Sequence, residues 1–129
     1  MADVNRGDRP LSPHLQIYKP QWSWVPSILH RVTGAGLTLG ALLLVWWLLA
    51  AATDDAYFAL VDGLAASPIG ILIWIGSTWA LAYHALNGIR HLVWDAGYGF
   101  ELDTMEKSAK AVTYGSVELT AAIWIAIAD

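Results

Sequence analysis

The chain has 129 residues, of which 57% are hydrophobic and 14% charged, against about 25% charged in a typical soluble domain. That much apolar surface in one short domain calls for a solvent other than water. The lack of cysteine excludes disulfides, zinc thiolate centres and iron–sulfur ligation by this chain, and a net charge of −4 leaves no nucleic-acid footprint.

The first segment, Met1 to Trp24, is polar and broken by Pro10, Pro13 and Pro20. No apolar core follows its basic residues, so it does not read as a secretory signal peptide. Asp3 and Asp8 also argue against an organelle transit peptide. Residues 1–24 are therefore expected to form a cytoplasmic segment ahead of a transmembrane domain over 25–129.

From Val32 to Thr53 no residue is charged, and about 20 residues cross the hydrocarbon core as a helix. Pro26 suits a first helical turn, which predicts a span over about 26–53. Its start carries Ser27, His30 and Arg31 at i, i+3 and i+4, on one helical face. Gly34 continues that face without a side chain. Such a set can bind a carboxylate, a propionate or a quinone carbonyl, and arginine offers a fixed fork of donors. The plainer alternative is that Arg31 snorkels to lipid headgroups and His30 caps the interface.

A loop with Asp54, Asp55 and Asp62 leads to a second uncharged stretch, Gly63 to Tyr83, which continues through His84 to Trp94 and is expected to give a span over about 64–94. It contains His84, Asn87, Gly88, Arg90 and His91. His84 lies about 16 Å inward from Asp95 along a helix, inside the hydrocarbon region, where an ionisable residue marks function by default. A neutral imidazole there suits a haem iron. Gly88, one turn on, would leave room for a flat macrocycle, and His91 follows on the same face. The alternative is a histidine hydrogen-bonded between helices. His84 and His91 cannot ligate one iron from a single helix face, and His30 lies close to Arg31 and the interface. Either a second ligand comes from another chain or there is no haem.

The third stretch, over about 108–128, is interrupted by Glu118, with Tyr114 one turn before it as a hydrogen-bond donor. We read Glu118 as a protonated or paired carboxyl facing the bundle. The seven basic residues are Arg6, Arg9, Lys19, Arg31, Arg90, Lys107 and Lys110. All lie before or at the start of span one, or around the connection between spans two and three. The positive-inside rule puts the N-terminus in the cytoplasm and the C-terminus in the periplasm of a bacterial inner membrane. Trp22, Trp24 and Trp94 near one interface, with Trp46 and Trp47 near the other, suit an aromatic belt. The fold class is thus all-α and integral to the membrane, with three transmembrane helices. Three helices enclose little, so the chain is expected to join a heteromeric bundle. No nucleophile–base pair or phosphate loop is present, so no bond-breaking chemistry is expected of the isolated chain.

The two polar clusters resemble the two signatures of the succinate dehydrogenase cytochrome b family. The first runs from Arg9-Pro10-Leu11 past Leu15 and Trp22 to Ser27, His30-Arg31 and Thr33. The second runs from His84 through Gly88-Ile89-Arg90-His91-Leu92 to Trp94-Asp95 and Gly97. The resemblance implies a membrane-anchor subunit of respiratory complex II that holds haem b together with a second small anchor subunit. His84 would be one axial iron ligand, with the partner supplying the other. Ser27 and Arg31 would border the ubiquinone site, beside an iron–sulfur subunit fed by a flavoprotein. His30 and Arg31 would lie near the haem propionates, and His91 near the haem. Glu118 belongs to neither signature. The rival readings are a fumarate-reductase anchor, a haem-free structural anchor and a small transporter.

Overall fold

The computed structural model describes residues 19–128. Most of the expected N-terminal segment, with Arg9-Pro10-Leu11 and Leu15 of the first signature, lies outside the described residues. The remainder forms four helices: α1 (Val25–Thr53), α2 (Asp55–Ala65), α3 (Pro68–Asp95) and α4 (Leu102–Ala128). Three of them, α1, α3 and α4, are long and apolar enough to cross a membrane. The chain is an all-α membrane protein. α3 is the central helix, packed against α1 on one side and α4 on the other.

Helix ends follow from local chemistry. α1 starts with Pro26 in its first turn, where the missing N–H costs nothing. It ends at Asp54, whose carboxylate accepts the Ala56 and Tyr57 N–H groups at 2.9 Å each and so caps α2. Ser67 caps α3 by accepting the Gly70 N–H at 3.1 Å, with Pro68 just inside the helix. α3 ends in a Schellman turn: the Gly97 N–H donates to the Trp94 carbonyl at 2.8 Å and the Tyr98 N–H to that of Val93 at 3.2 Å. Gly97 takes φ +89° there, a conformation open to glycine.

The segment read from sequence as a loop with three aspartates is mostly helix α2. Its apolar side, carrying Phe58 and Val61, turns inward, and Val61 is buried. Two tryptophans of α1 hold it: Trp46 Nε1 donates to the Tyr57 hydroxyl at 2.7 Å and Trp47 Nε1 to Asp62 Oδ1 at 3.1 Å. Trp46 and Trp47, expected in an interfacial belt, thus also bind the short helix.

The interior inverts the pattern of a soluble protein. Its buried residues are mostly small or polar, including Ala50, Ala80, Ala109, Thr33, Ser116 and Thr120. Many large apolar side chains point outward; Leu39 is 65% and Ile69 72% exposed. In lipid, outward leucine costs nothing, and helices associate through close backbone approach. The hydroxyls tolerate burial because their own helix satisfies them. Thr113, Ser116 and Thr120 each donate to a carbonyl one turn back, at 2.9, 2.8 and 2.7 Å.

Candidate functional site

The two polar clusters meet where the first half of α1 crosses the second half of α3. Gly34 makes the contact possible. A Cβ at that position would lie 3.0 Å from His84 Cε1, so glycine lets the His84 ring rest against the α1 backbone. There His84 Nδ1 lies 3.1 Å from the His30 carbonyl oxygen and 3.3 Å from Thr33 Oγ1. A carbonyl only accepts, so the Nδ1–His30 hydrogen bond requires the proton on Nδ1. The Nε2 atom of a neutral His84 then carries the lone pair, the arrangement by which a backbone carbonyl orients a metal-ligating histidine. Thr33 is itself buried and held by the Leu29 and His30 carbonyls at 2.8 and 3.0 Å. It stiffens the α1 turn that receives the ring.

The His30 ring stacks on His84 with centroids 3.8 Å apart and planes 8° from parallel. The His91 ring also approaches His30, at 5.2 Å with planes tilted by 53°, and meets Trp94 edge-on at 5.0 Å. Imidazole lone pairs lie in the ring plane. The stacked His84 and His30 therefore point their lone pairs side by side and not at a common centre. Among the described residues no three His, Asp or Glu side chains form a cage for a bare metal ion. His30 Nδ1 is buried without a hydrogen-bond partner there. An orphan of this kind in a polar cluster marks a place where an outside group can bond.

Gly88 was expected to leave room for a flat macrocycle, and the edge of one imidazole comes just within van der Waals distance of it. Gly34 accommodates His84, while a Cβ on Gly88 would lie 4.0 Å from His30 Cε1. Half-buried Ser27 and exposed Arg31 lie on α1 beside this cluster. Tyr83, fully buried, donates to the Pro26 carbonyl at 3.3 Å and ties the turn that bears Ser27 to α3. The roles of Thr33 and Tyr83 were missed in sequence, although Thr33 stands one turn from His30. Glu118 was expected to face the bundle. It is exposed, as is Tyr114, because Ser116 and Thr120 take the inward side of α4.

A family model described as the succinate dehydrogenase/fumarate reductase transmembrane subunit matches residues 5–123. The chain belongs to that family. A relative in Paracoccus denitrificans, named a succinate dehydrogenase cytochrome b556 subunit, is 51% identical over 119 residues, or 92% of each chain. A protein of the same name in Rickettsia conorii is 43% identical over 91% of each chain. The mitochondrial cytochrome b560 subunit of Sus scrofa is 37% identical over 81% of this chain and 63% of its own length. The family resemblance read from the two signatures is thereby borne out, and the imidazole cluster lies within the matched residues.

In this family member the tight Gly34 contact yields a direct expectation. Gly34→Ala should push the His84 ring off the His30 carbonyl and lower the thermal unfolding midpoint of the purified protein. A midpoint equal to that of the parent would show that the ring has room to move.

Proposed function

We propose that the chain is the cytochrome b anchor of a succinate:quinone oxidoreductase. It would pair with a second small membrane subunit and carry an iron–sulfur subunit and a flavoprotein at the end of the bundle that bears Ser27 and Arg31. The observation that carries this reading is the His84 imidazole held by the His30 carbonyl in the tautomer that leaves Nε2 free. The donor set fits haem b: one neutral nitrogen ligand, with His30, Arg31 and His91 beside it to meet the propionates. A further iron ligand would come from the second anchor subunit, since the stacked rings of this chain do not converge. A haem bound there would supply one-electron exchange.

Ubiquinone would bind against Ser27 and Arg31. The Ser27 hydroxyl would donate to a quinone carbonyl. The Arg31 guanidinium would favour negative charge developing on the reduced oxygens. Tyr83 keeps Ser27 in register with α3. The distribution of Lys and Arg supports a cytoplasmic N-terminus and a periplasmic C-terminus in a bacterial inner membrane.

A reduced-minus-oxidised spectrum of the detergent-purified complex tests the reading. A b-type signal reducible by succinate supports it, and a flat spectrum from an intact complex refutes it. The quinone site has its own test. Removing a hydrogen bond to a charged group costs about 1.5–3 kcal/mol, roughly tenfold or more in rate. Ser27→Ala and Arg31→Leu should therefore each slow quinone reduction by about that factor while succinate oxidation with a soluble dye stays at the parent rate. Normal quinone reduction in both variants would move the site elsewhere.

A further inference from the structure

A second polar feature, centred on Arg90, is directed toward α4 and meets the imidazole cluster only through Trp94. Arg90 is buried, with 7% of its surface exposed. Its Nε donates to Ser108 Oγ at 2.8 Å, one terminal nitrogen to the Met105 carbonyl at 3.0 Å, and the other to Asn87 Oδ1 at 3.4 Å. The guanidinium carbon lies 4.0 Å over the Trp94 ring. Every one of these partners is neutral. Nearby Lys107 and Lys110 pair with Asp103 and Glu106 of their own helix at 2.6 Å, but Arg90 joins no ion pair among the described residues. A guanidinium has five N–H donors, so three directed bonds leave donors over. A buried charge without a counter-charge is costly.

Beside this guanidinium is a cavity of about 260 Å³ between α3 and α4. Arg90, Thr104 and Ser108 supply its polar lining, and Leu86, Ile89 and Ala111 are among its apolar walls. Ile89 is 58% exposed, so the cavity opens on the lipid-facing side. Arg90 lies about 8 Å along α3 from the helix end, the depth at which arginine reaches headgroups. A charged recess at headgroup level thus runs into apolar walls that face the acyl chains.

We propose that this recess binds the phosphate of an anionic phospholipid from the surrounding bilayer. Arg90 supplies the counter-charge and the Thr104 and Ser108 hydroxyls supply further hydrogen bonds. An acyl chain lies along Leu86, Ile89 and Ala111. A free phosphate would leave those apolar walls uncovered, whereas a lipid fills both parts. Basic recesses between transmembrane helices at the interface suit such headgroups.

The test uses the intact complex, stripped of lipid in detergent and given equal phosphatidylglycerol and phosphatidylcholine, with retained lipids counted by native mass spectrometry. The parent is expected to keep one phosphatidylglycerol that two variants release. Arg90→Gln removes the charge and should weaken retention about fivefold, the worth of one interfacial cation. Ala111→Phe fills the exposed groove and leaves Arg90 in place. It alone decides the matter if the Arg90 variant fails to assemble. Retention of the lipid by either variant overturns the proposal. So does equal retention of phosphatidylcholine, or displacement of the lipid by inorganic phosphate at equal concentration, which would mark a free-anion site. Loss of a subunit in place of a lipid from the Ala111→Phe complex would show that a protein segment fills the groove, and would overturn it as well.

Discussion

His84→Ala is expected to abolish the b-type signal of the assembled complex and to lower its haem content to background. The neighbouring imidazoles offer no substitute. The His30 ring is displaced from His84 by 3.8 Å along the stack, and metal–ligand distances hold to within about 0.2 Å. His91 packs against His30 at 5.2 Å and edge-on against Trp94 at 5.0 Å. Moving either ring into the vacated position would mean shifting a helix. Pyridine haemochrome content measured beside the difference spectrum gives the readout, and haem retained at the parental level would place the ligand on another residue.

Gly70→Ala should have the largest effect on folding of any glycine-to-alanine change in the described chain. A Cβ there would run into the carbonyl oxygens of Ala65 and Leu64, with the Ala65 carbonyl carbon 2.7 Å away. These are backbone atoms and cannot rotate aside. Overpacking in a tight interior costs about 1–3 kcal/mol, and backbone obstruction puts this position at the upper end or beyond. The thermal unfolding midpoint of the purified complex, followed by tryptophan fluorescence, should fall by several degrees and assembly yield should drop. A midpoint equal to that of the parent would mean that α2 can swing away from α3 without loss.

Much of the architecture is legible in the sequence because lipid simplifies the rules. A helix in hydrocarbon must satisfy its own backbone, so an uncharged run such as Val32 to Thr53 has few alternatives to a span. The pairing of the two signatures is less legible. The periodicity of α1 and α3 shows which residues share a face, but not that Gly34 would receive the His84 ring or that His30 would stack on it. Those contacts depend on the crossing of two helices far apart in sequence. α2 was overlooked because three aspartates look like a loop until Asp54 is seen as a cap and Val61 as an inward anchor. Glu118 was misplaced for a related reason. A carboxyl in a membrane helix seems to belong inside, yet Ser116 and Thr120 on the same helix already occupy the inner seam with self-satisfied hydroxyls.

The corner at the far end of the bundle leaves very little slack. One residue separates α1 from α2 and two separate α2 from α3, while Trp46 and Trp47 clamp α2 to α1. Helices transmit displacement along their axes like stiff rods, and Gly70 lies about 21 Å along α3 from His84. A slide of α3 relative to α1 by one residue would carry His84 about 1.5 Å, enough to break its bond to the His30 carbonyl. The short helix and its clamps therefore act as a mechanical stop, keeping the alignment of the imidazoles from the opposite side of the membrane.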